Sequence, residues 1–370
     1  MKLFKSLLVA PATLGLLAPM AATANEVTIS DFNPSEQLAI TNSRVDGLEA
    51  RMNNIEAGSF SETTTASFGV DFYLGATDDD DYIYDDDTLT FGYSLGIGLA
   101  TSFTGEDSLA ITLDAGNSVE GVAEFDGNTN GDALTVDGVS YTFPVGDATF
   151  IVGDSTDGSA LFTTACAYGG PGNLLDDCGN VNAGITGGEA TIGASYDFGN
   201  GFTSAFGAQT SSTVKGTFTE LSSDSYAFNV AYSADSYGGS ITYGVVENAT
   251  LTDENTFTAF NAYYAAGGAF PSVSVGYELG DLGGAAATAD EQTSFFVGLS
   301  WDEVGPGSAG VAFGHSNTVE NVDEAYQYEA YYSYPVNDGM TITPLIFTKD
   351  VATAGKDDTT GVMVKTSFSF

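Results

Sequence analysis

From Thr64 to Phe370 the sequence is written in a period of two, and no other feature restricts the fold so tightly. Leu89, Phe91, Tyr93, Leu95, Ile97 and Leu99 alternate with Thr90, Gly92, Ser94, Gly96, Gly98 and Ala100. Tyr226, Phe228, Val230 and Tyr232 alternate with Ser225, Ala227, Asn229 and Ala231, and Tyr326, Tyr328, Ala330, Tyr332 and Tyr334 with Gln327, Glu329, Tyr331 and Ser333. Successive side chains of a strand point to opposite faces, so each run carries one apolar face and one small or polar face. Two all-β architectures accept such strands: a soluble sandwich and a membrane barrel that turns the apolar face to lipid.

The end of the chain and the strand count favour the barrel. Val362, Val364, Thr366, Phe368 and Phe370 share one face, the terminal aromatic strand typical of bacterial outer-membrane barrels. Strands are expected near 64–76, 89–103, 107–117, 137–145, 148–154, 189–198, 201–210, 223–234, 236–247, 255–264, 271–280, 291–301, 307–315, 325–334, 338–349 and 359–370. Sixteen is an even number, as closure with both ends on one side requires. Short connections (Thr104 to Glu106, Gly146-Asp147, Gly199-Asn200, Asp235, Pro335 to Asn337) alternate with longer ones. The short set is expected in the periplasm and the long set outside. The longest, near 155–188, is the third outward loop.

Residues 1–24 read as a cleaved export signal: Lys2 and Lys5, an apolar stretch from Leu7 to Leu17 broken by Pro11, and Ala22-Thr23-Ala24 before Asn25. A linker is expected over 25–33 and a helix over 34–58, with the barrel from 59 to 370. Asn33-Pro34-Ser35-Glu36 supplies helix-start chemistry, and Leu38, Thr41, Val45, Leu48, Met52 and Ile55 fall at a and d heptad positions. About 24 residues would make a rod of roughly 36 Å. So narrow an apolar stripe is marginal on a lone helix, which favours a periplasmic coiled coil joining protomers over a surface helix.

Charge narrows the partners. There are 50 acidic and 8 basic residues, a formal charge of −42 that becomes −44 when Lys2 and Lys5 leave with the signal. Nucleic acid and anionic membrane surfaces need a cationic face and are poor partners, so no nucleic acid is expected. Disorder is excluded, because 25 Phe and 19 Tyr accompany the charge. A single His argues against a triad, a multi-His metal site or haem, and His315 beside Ser316 reads as a lone His at a strand end; no catalytic residue and no cofactor is assigned. A barrel of about sixteen strands encloses a water-filled channel, so the face opposite the aromatics lines water. Asp71, Asp114, Asp197, Glu278 and Glu329 fall on it, with Lys365 its clearest base. Carboxylates in a narrow pore with low-dielectric walls concentrate cations, so cation preference is expected.

The third loop carries Asp157, Cys166, Asp176, Asp177 and Cys178. Two cysteines twelve positions apart in an oxidising compartment are expected to pair, contributing about 2–3 kcal/mol by chain entropy. The cross-linked loop is expected to fold into the lumen as a constriction rather than tidy the exterior. Asp78 to Asp81 and Asp85 to Asp87 read as a solvated surface run. The segment from Asp126 to Asp137 resembles a calcium loop, but it ends in Asp rather than Glu and lies between strands, so a Gly/Asn turn without metal is the reading. Tyr73, Phe296 and Tyr331 share the lumen face and leave sugar stacking open beside ion passage.

Several ordered segments resemble the cyanobacterial outer-membrane porins, which are related to the carbohydrate-selective porin family. They are Arg44-Val45-Asp46-Gly47-Leu48-Glu49-Ala50-Arg51, Phe103-Thr104-Gly105-Glu106-Asp107-Ser108-Leu109, Tyr141-Thr142-Phe143-Pro144-Val145-Gly146-Asp147 and Glu329-Ala330-Tyr331-Tyr332-Ser333-Tyr334-Pro335-Val336-Asn337-Asp338, continuing through Thr341-Ile342-Thr343-Pro344. The resemblance implies a homotrimeric porin in outer-membrane lipid passing small hydrophilic solutes, with sugars and metal ions among the candidates. Cyanobacterial members usually carry a peptidoglycan-binding domain before the coil, whereas about nine residues separate signal from helix here. The expected function is passive, cation-preferring diffusion. A carbohydrate- or iron-selective channel is the alternative within transport, and a loop-closed receptor or structural barrel the alternative outside it.

Overall fold

In the computed structural model the alternating runs become sixteen antiparallel strands: β1 (Thr64–Asp78), β2 (Thr90–Thr101), β3 (Ser108–Gly116), β4 (Thr135–Val145), β5 (Ala148–Asp154), β6 (Ala190–Gly199), β7 (Phe202–Thr210), β8 (Asp224–Ser233), β9 (Tyr237–Glu247), β10 (Glu254–Ala265), β11 (Ser272–Asp281), β12 (Glu291–Val304), β13 (Gly307–Val319), β14 (Gln327–Asn337), β15 (Met340–Lys349) and β16 (Thr359–Ser369). The residues described are 64–78, 89–118, 127–173, 175–211, 216–219, 222–247, 254–265, 267–283, 289–351 and 358–370. The export signal, the linker, the coiled coil, Asp79 to Asp87 and Asp126 lie outside them.

Each strand pairs with its sequence neighbours, and β1 pairs with β16 from Gly69↔Ser369 to Asp78↔Thr360, which closes the barrel. Closure removes the free edges that an open sheet would expose. The backbone of Phe370 adds two hydrogen bonds to Phe68, at 3.0 and 3.1 Å, and the two rings stack at 5.8 Å. The terminal aromatic thus fastens the seam.

The alternation sorts the faces. Phe72, Leu74, Phe91, Ile192, Phe206, Phe228, Ile241, Tyr243, Phe260 and Ile346 are exposed on the outer surface. The residues between them point inward. Aromatics gather at both ends of the outer band. Near the short turns Tyr196 meets Phe198 at 4.8 Å and Phe202 meets Tyr232 at 4.7 Å; near the long loops Phe313 stacks on Tyr328 at 5.5 Å. An apolar belt between aromatic girdles is the surface that hydrocarbon flanked by headgroups solvates.

Two of the expected turns shift along the chain. Pro335 to Asn337 belong to β14, where a bulge absorbs them, and the reversal is made by Asp338-Gly339. Gly199 closes β6, and the turn is Asn200-Gly201 with φ of 53° and 87°, the left-handed pair of a tight hairpin. In the turn between β2 and β3, Asp107 accepts hydrogen bonds from Tyr141 Oη at 2.7 Å and from the Thr104 backbone at 2.8 Å. The Tyr141 bond is the main reason its carboxyl sits well below the usual range.

Candidate functional site

Among the described connections the longest lies between β5 and β6, residues 155–189, and it folds into the barrel (called L3 below). Its backbone crosses the inner wall on a row of polar side chains supplied by successive strands. Thr163 N donates to Asn229 Oδ1 of β8 at 3.1 Å, Ala165 N to Ser240 Oγ of β9 at 2.9 Å, and Ala167 N to Ser274 Oγ of β11 at 2.8 Å. On the return path Asn261 Nδ2 of β10 donates to Cys178 O at 2.8 Å. Glu278 of β11 accepts from Asn182 N, Asn182 Nδ2 and Ala183 N at 2.8, 2.7 and 2.8 Å. These bonds satisfy loop backbone groups that would otherwise be buried unpaired.

Close approach requires glycines on the wall. A Cβ built on Gly276 would lie 1.7 Å from Cys178 O, and one on Gly207 1.8 Å from Gly158 O. L3 also inserts side chains. Tyr168, Leu175 and Cys178 pack with Phe296 and Ala312, and Tyr168 donates its hydroxyl to Glu329. Burial first, and the Glu329 carboxyl second, push the Tyr168 hydroxyl far above its ordinary value, so it remains a donor. Cys166 and Cys178 form a disulfide across the loop.

The residues picked out from sequence separate into two groups. By register, Asp71, Asp114, Asp197, Glu278, Glu329 and Lys365 all face the interior: Asp71 pairs with Ser94, Asp114 with Gly96, and Lys365 with Tyr73. Glu278 and Glu329 are 1% and 4% exposed, however, because they anchor L3 rather than meet open water. Asp114 is engaged by Thr135 Oγ1 at 2.7 Å and by the Asn128 and Asn130 amides, so the segment read as a Gly/Asn turn folds back onto the wall. Asp197 lies at the short-turn rim and accepts from Gly199 N at 2.7 Å. Tyr73 is 2% exposed, within an apolar cluster with Leu345, Phe347 and Met363, and Phe296 is fully covered by L3. Neither therefore offers a ring face to a passing solute, and of that aromatic trio only Tyr331 is partly open.

Within L3, Asp157 accepts from Gly187 N at 2.7 Å and ties the two ends of the loop together. It also borders a cleft of about 350 Å³ between the loop and the inner faces of β3 and β4, lined by Thr112, Asp137 and Ser140 as well. Asp176 and Asp177 line a second cleft, of about 250 Å³, inside the loop. Asp177 keeps one edge open to water, yet the surrounding atoms desolvate its carboxyl. With Asp176, Glu278 and Asp157 adding like charge, its pKa is pushed up to about 7. Lys349 and Lys365 are the cationic side chains among the described residues. His315 sits in β13 on the outer side of the wall, between Phe295 and Tyr326, with Nδ1 2.9 Å from Thr318 Oγ1.

Sequence reasoning missed the anchoring row itself. Asn229, Ser240, Asn261 and Ser274, and the glycines at 207 and 276, look like ordinary small residues of the lumen-facing parity. Parity assigns a face, but not a height along the barrel, and height decides which of them L3 touches.

No family model matches the chain. An uncharacterized protein of Nostoc sp. (strain PCC 7120 / SAG 25.82 / UTEX 2576) is 25% identical over 94% of this chain and 74% of its own length. Among solved structures, the high-pH structure of Pseudomonas putida OprB aligns with a TM-score of 0.60 at 12% identity, covering 83% of this chain and 94% of that one. A mutant Rh. blastica porin aligns with a TM-score of 0.58 at 13% identity over 83% of this chain and all of its own. Structural likeness at such low identity speaks for the fold alone. With its closed sixteen-stranded wall and inward third loop, the chain has the fold of the bacterial porins.

Proposed function

We propose that the protein is an outer-membrane porin through which ions and small hydrophilic solutes diffuse passively, with cations preferred. The observation that carries this reading is the asymmetry of charge around an inward loop. Asp157, Asp176 and Asp177 belong to L3 and Asp71 and Asp114 to the wall, while the described residues offer only Lys349 and Lys365 as cations. Low-dielectric walls focus such a field and raise the local cation concentration. Sugar selectivity is the weaker reading, since Tyr73 and Phe296 are buried. The reading also carries an exported chain seated in outer-membrane lipid, a periplasmic coil over 34–58, and a homotrimer. The protein does no chemical work on its solute.

The test is single-channel current and zero-current potential of refolded protein in a planar bilayer under a KCl gradient. Conductance in steps of three with a cation-selective potential supports the proposal. An anion-selective potential rejects the charge assignment, and no current from heat-modifiable, folded protein rejects the channel.

A further inference from the structure

The inner wall is covered unevenly. On β1, β2 and β3 the inward-facing Ser67, Gly96, Ala100 and Thr112 are exposed. On β15, β16 and the outer half of β1 the inward side chains are sealed: Leu345, Phe347, Met363 and Tyr73 are 1–2% exposed and form one apolar cluster. The interior of a water-filled barrel is ordinarily polar, and apolar surface left facing water forfeits the gain from covering it. Tyr331 of β14 packs against this cluster. It also packs against the second cluster, which L3 forms with Phe296 and Ala312. Its ring lies 5.9 Å from that of Tyr168, edge to face, and Tyr168 lies 5.4 Å from Phe296. At the far end Tyr73 Oη is 2.7 Å from Ser94 Oγ of β2. A continuous run of packed side chains therefore reaches from β12 through L3 and Tyr331 to β1 and β2. The wall is hollowed to seat its two central rings. A Cβ on Gly310, which pairs with Tyr331, would run into the Tyr331 ring, and one on Gly298 would lie 2.7 Å from Tyr168 Cγ. Glycine weakens a strand interior and marks the places where another group comes close.

We infer that Tyr331 seals one side of the lumen: it bridges L3 to the Tyr73, Leu345, Phe347 and Met363 cluster, closes the sector between β14 and β1, and thereby sets the size of the solutes that pass. Solutes are left with the arc along β2 to β4. There Thr112, Ser140 and Asp137 face Asp157 of L3 across the cleft of about 350 Å³, and no aromatic ring lines it among the described residues. A passing solute meets hydroxyls and carboxylates in that arc, and no face on which to stack. Both contacts of Tyr331 are made by its ring, so Tyr331→Phe preserves the bridge and Tyr331→Ala removes it. The consequence for solute size rests on the channel reading; the seal itself does not.

The test is oxidation of Met363 by hydrogen peroxide in the refolded full chain in detergent, read by mass spectrometry as the sulfoxide. Met340, half-buried at the start of β15, is the reference within the same chain. In wild type and Tyr331→Phe, Met363 is expected to oxidise at least ~10-fold more slowly than Met340, and in Tyr331→Ala to come within ~3-fold of it. In planar bilayers Tyr331→Ala is expected to carry at least ~1.3-fold the wild-type single-channel current, with Tyr331→Phe unchanged. The seal is overturned if Met363 is as reactive as Met340 in wild type, if Tyr331→Ala leaves its protection intact, or if Tyr331→Phe abolishes that protection. Exposure of Met363 with unchanged current overturns the size-setting role. Every variant is first checked for the heat-modifiable band of a closed barrel, and should Tyr331→Ala fail to close, Phe347→Ala carries the same comparison. Absence of current from every form sinks the channel reading, while oxidation still decides the seal.

Discussion

Glu278 is the strongest single anchor of L3, and removing it gives the sharpest test of how the loop is held. Its two oxygens accept from Asn182 N, Asn182 Nδ2 and Ala183 N at 2.8, 2.7 and 2.8 Å, and the side chain is 1% exposed. Hydrogen bonds to a charged acceptor contribute ~1.5–3 kcal/mol each, but three bonds to one residue are not additive. Removing Glu278 also relieves repulsion on Asp177, which lowers the net loss. Glu278→Ala is therefore expected to favour local opening of this part of L3 by ~2–5 kcal/mol, or ~30- to 4000-fold. β11 itself is untouched, since its ladder to β10 and β12 uses backbone groups only. The assay is amide hydrogen exchange of refolded protein, which reads local opening segment by segment. Peptides spanning residues 180–185 should lose at least ~30-fold protection while β10, β11 and β12 keep theirs. Protection of 180–185 unchanged within threefold would refute the anchoring role. Loss of protection through β11 as well would show that Glu278 supports the wall and not the loop.

Three further outcomes follow from the same geometry. The cation-selective potential should grow as pH rises from 6 to 8, because Asp177, pushed up to about 7, gains its charge in that interval, and Asp177→Asn should flatten the change. The stability sign is the reverse. A carboxyl whose folded pKa lies above its unfolded value holds the extra proton between about 4 and 7, so L3 is firmest at the acid end of that window and loses this contribution as pH rises through about 7. Gly276→Ala places a Cβ 1.7 Å from Cys178 O and should lift that side of L3, read as a larger and noisier single-channel current from a barrel that still folds; an unaltered current would count against the close approach. Reducing the Cys166–Cys178 bond releases a twelve-residue separation and should cost the loop about 2–3 kcal/mol, read as faster exchange within 160–180 and no shift in barrel unfolding; equal exchange before and after dithiothreitol would contradict it.

The wall was legible in the residues themselves. Side chains of a regular strand alternate, so Phe91, Tyr93 and Leu95 against Gly92, Ser94 and Gly96 reveal both the strand and its two faces from local information. Sixteen such runs, short and long connections in turn, and a terminal aromatic that stacks on Phe68 fix the class and the closure. Boundaries slipped where strands continue past the expected rim, as in β13, which reaches Val319 rather than residue 315, or where a bulge takes up residues assigned to a turn, as at Pro335.

The interior is a different matter. Glu278, Glu329 and Asp71 share one parity and look alike in sequence, yet two of them are sealed beneath L3 and one is half-open on the wall. Tyr73 and Phe296 look like lumen aromatics and are covered by packing from segments distant in the chain. The sequence determines which way each side chain points, because that follows from the geometry of neighbouring peptides. Tertiary structure decides what each one meets, because that depends on how far L3 reaches across eight strands and at what height it lies.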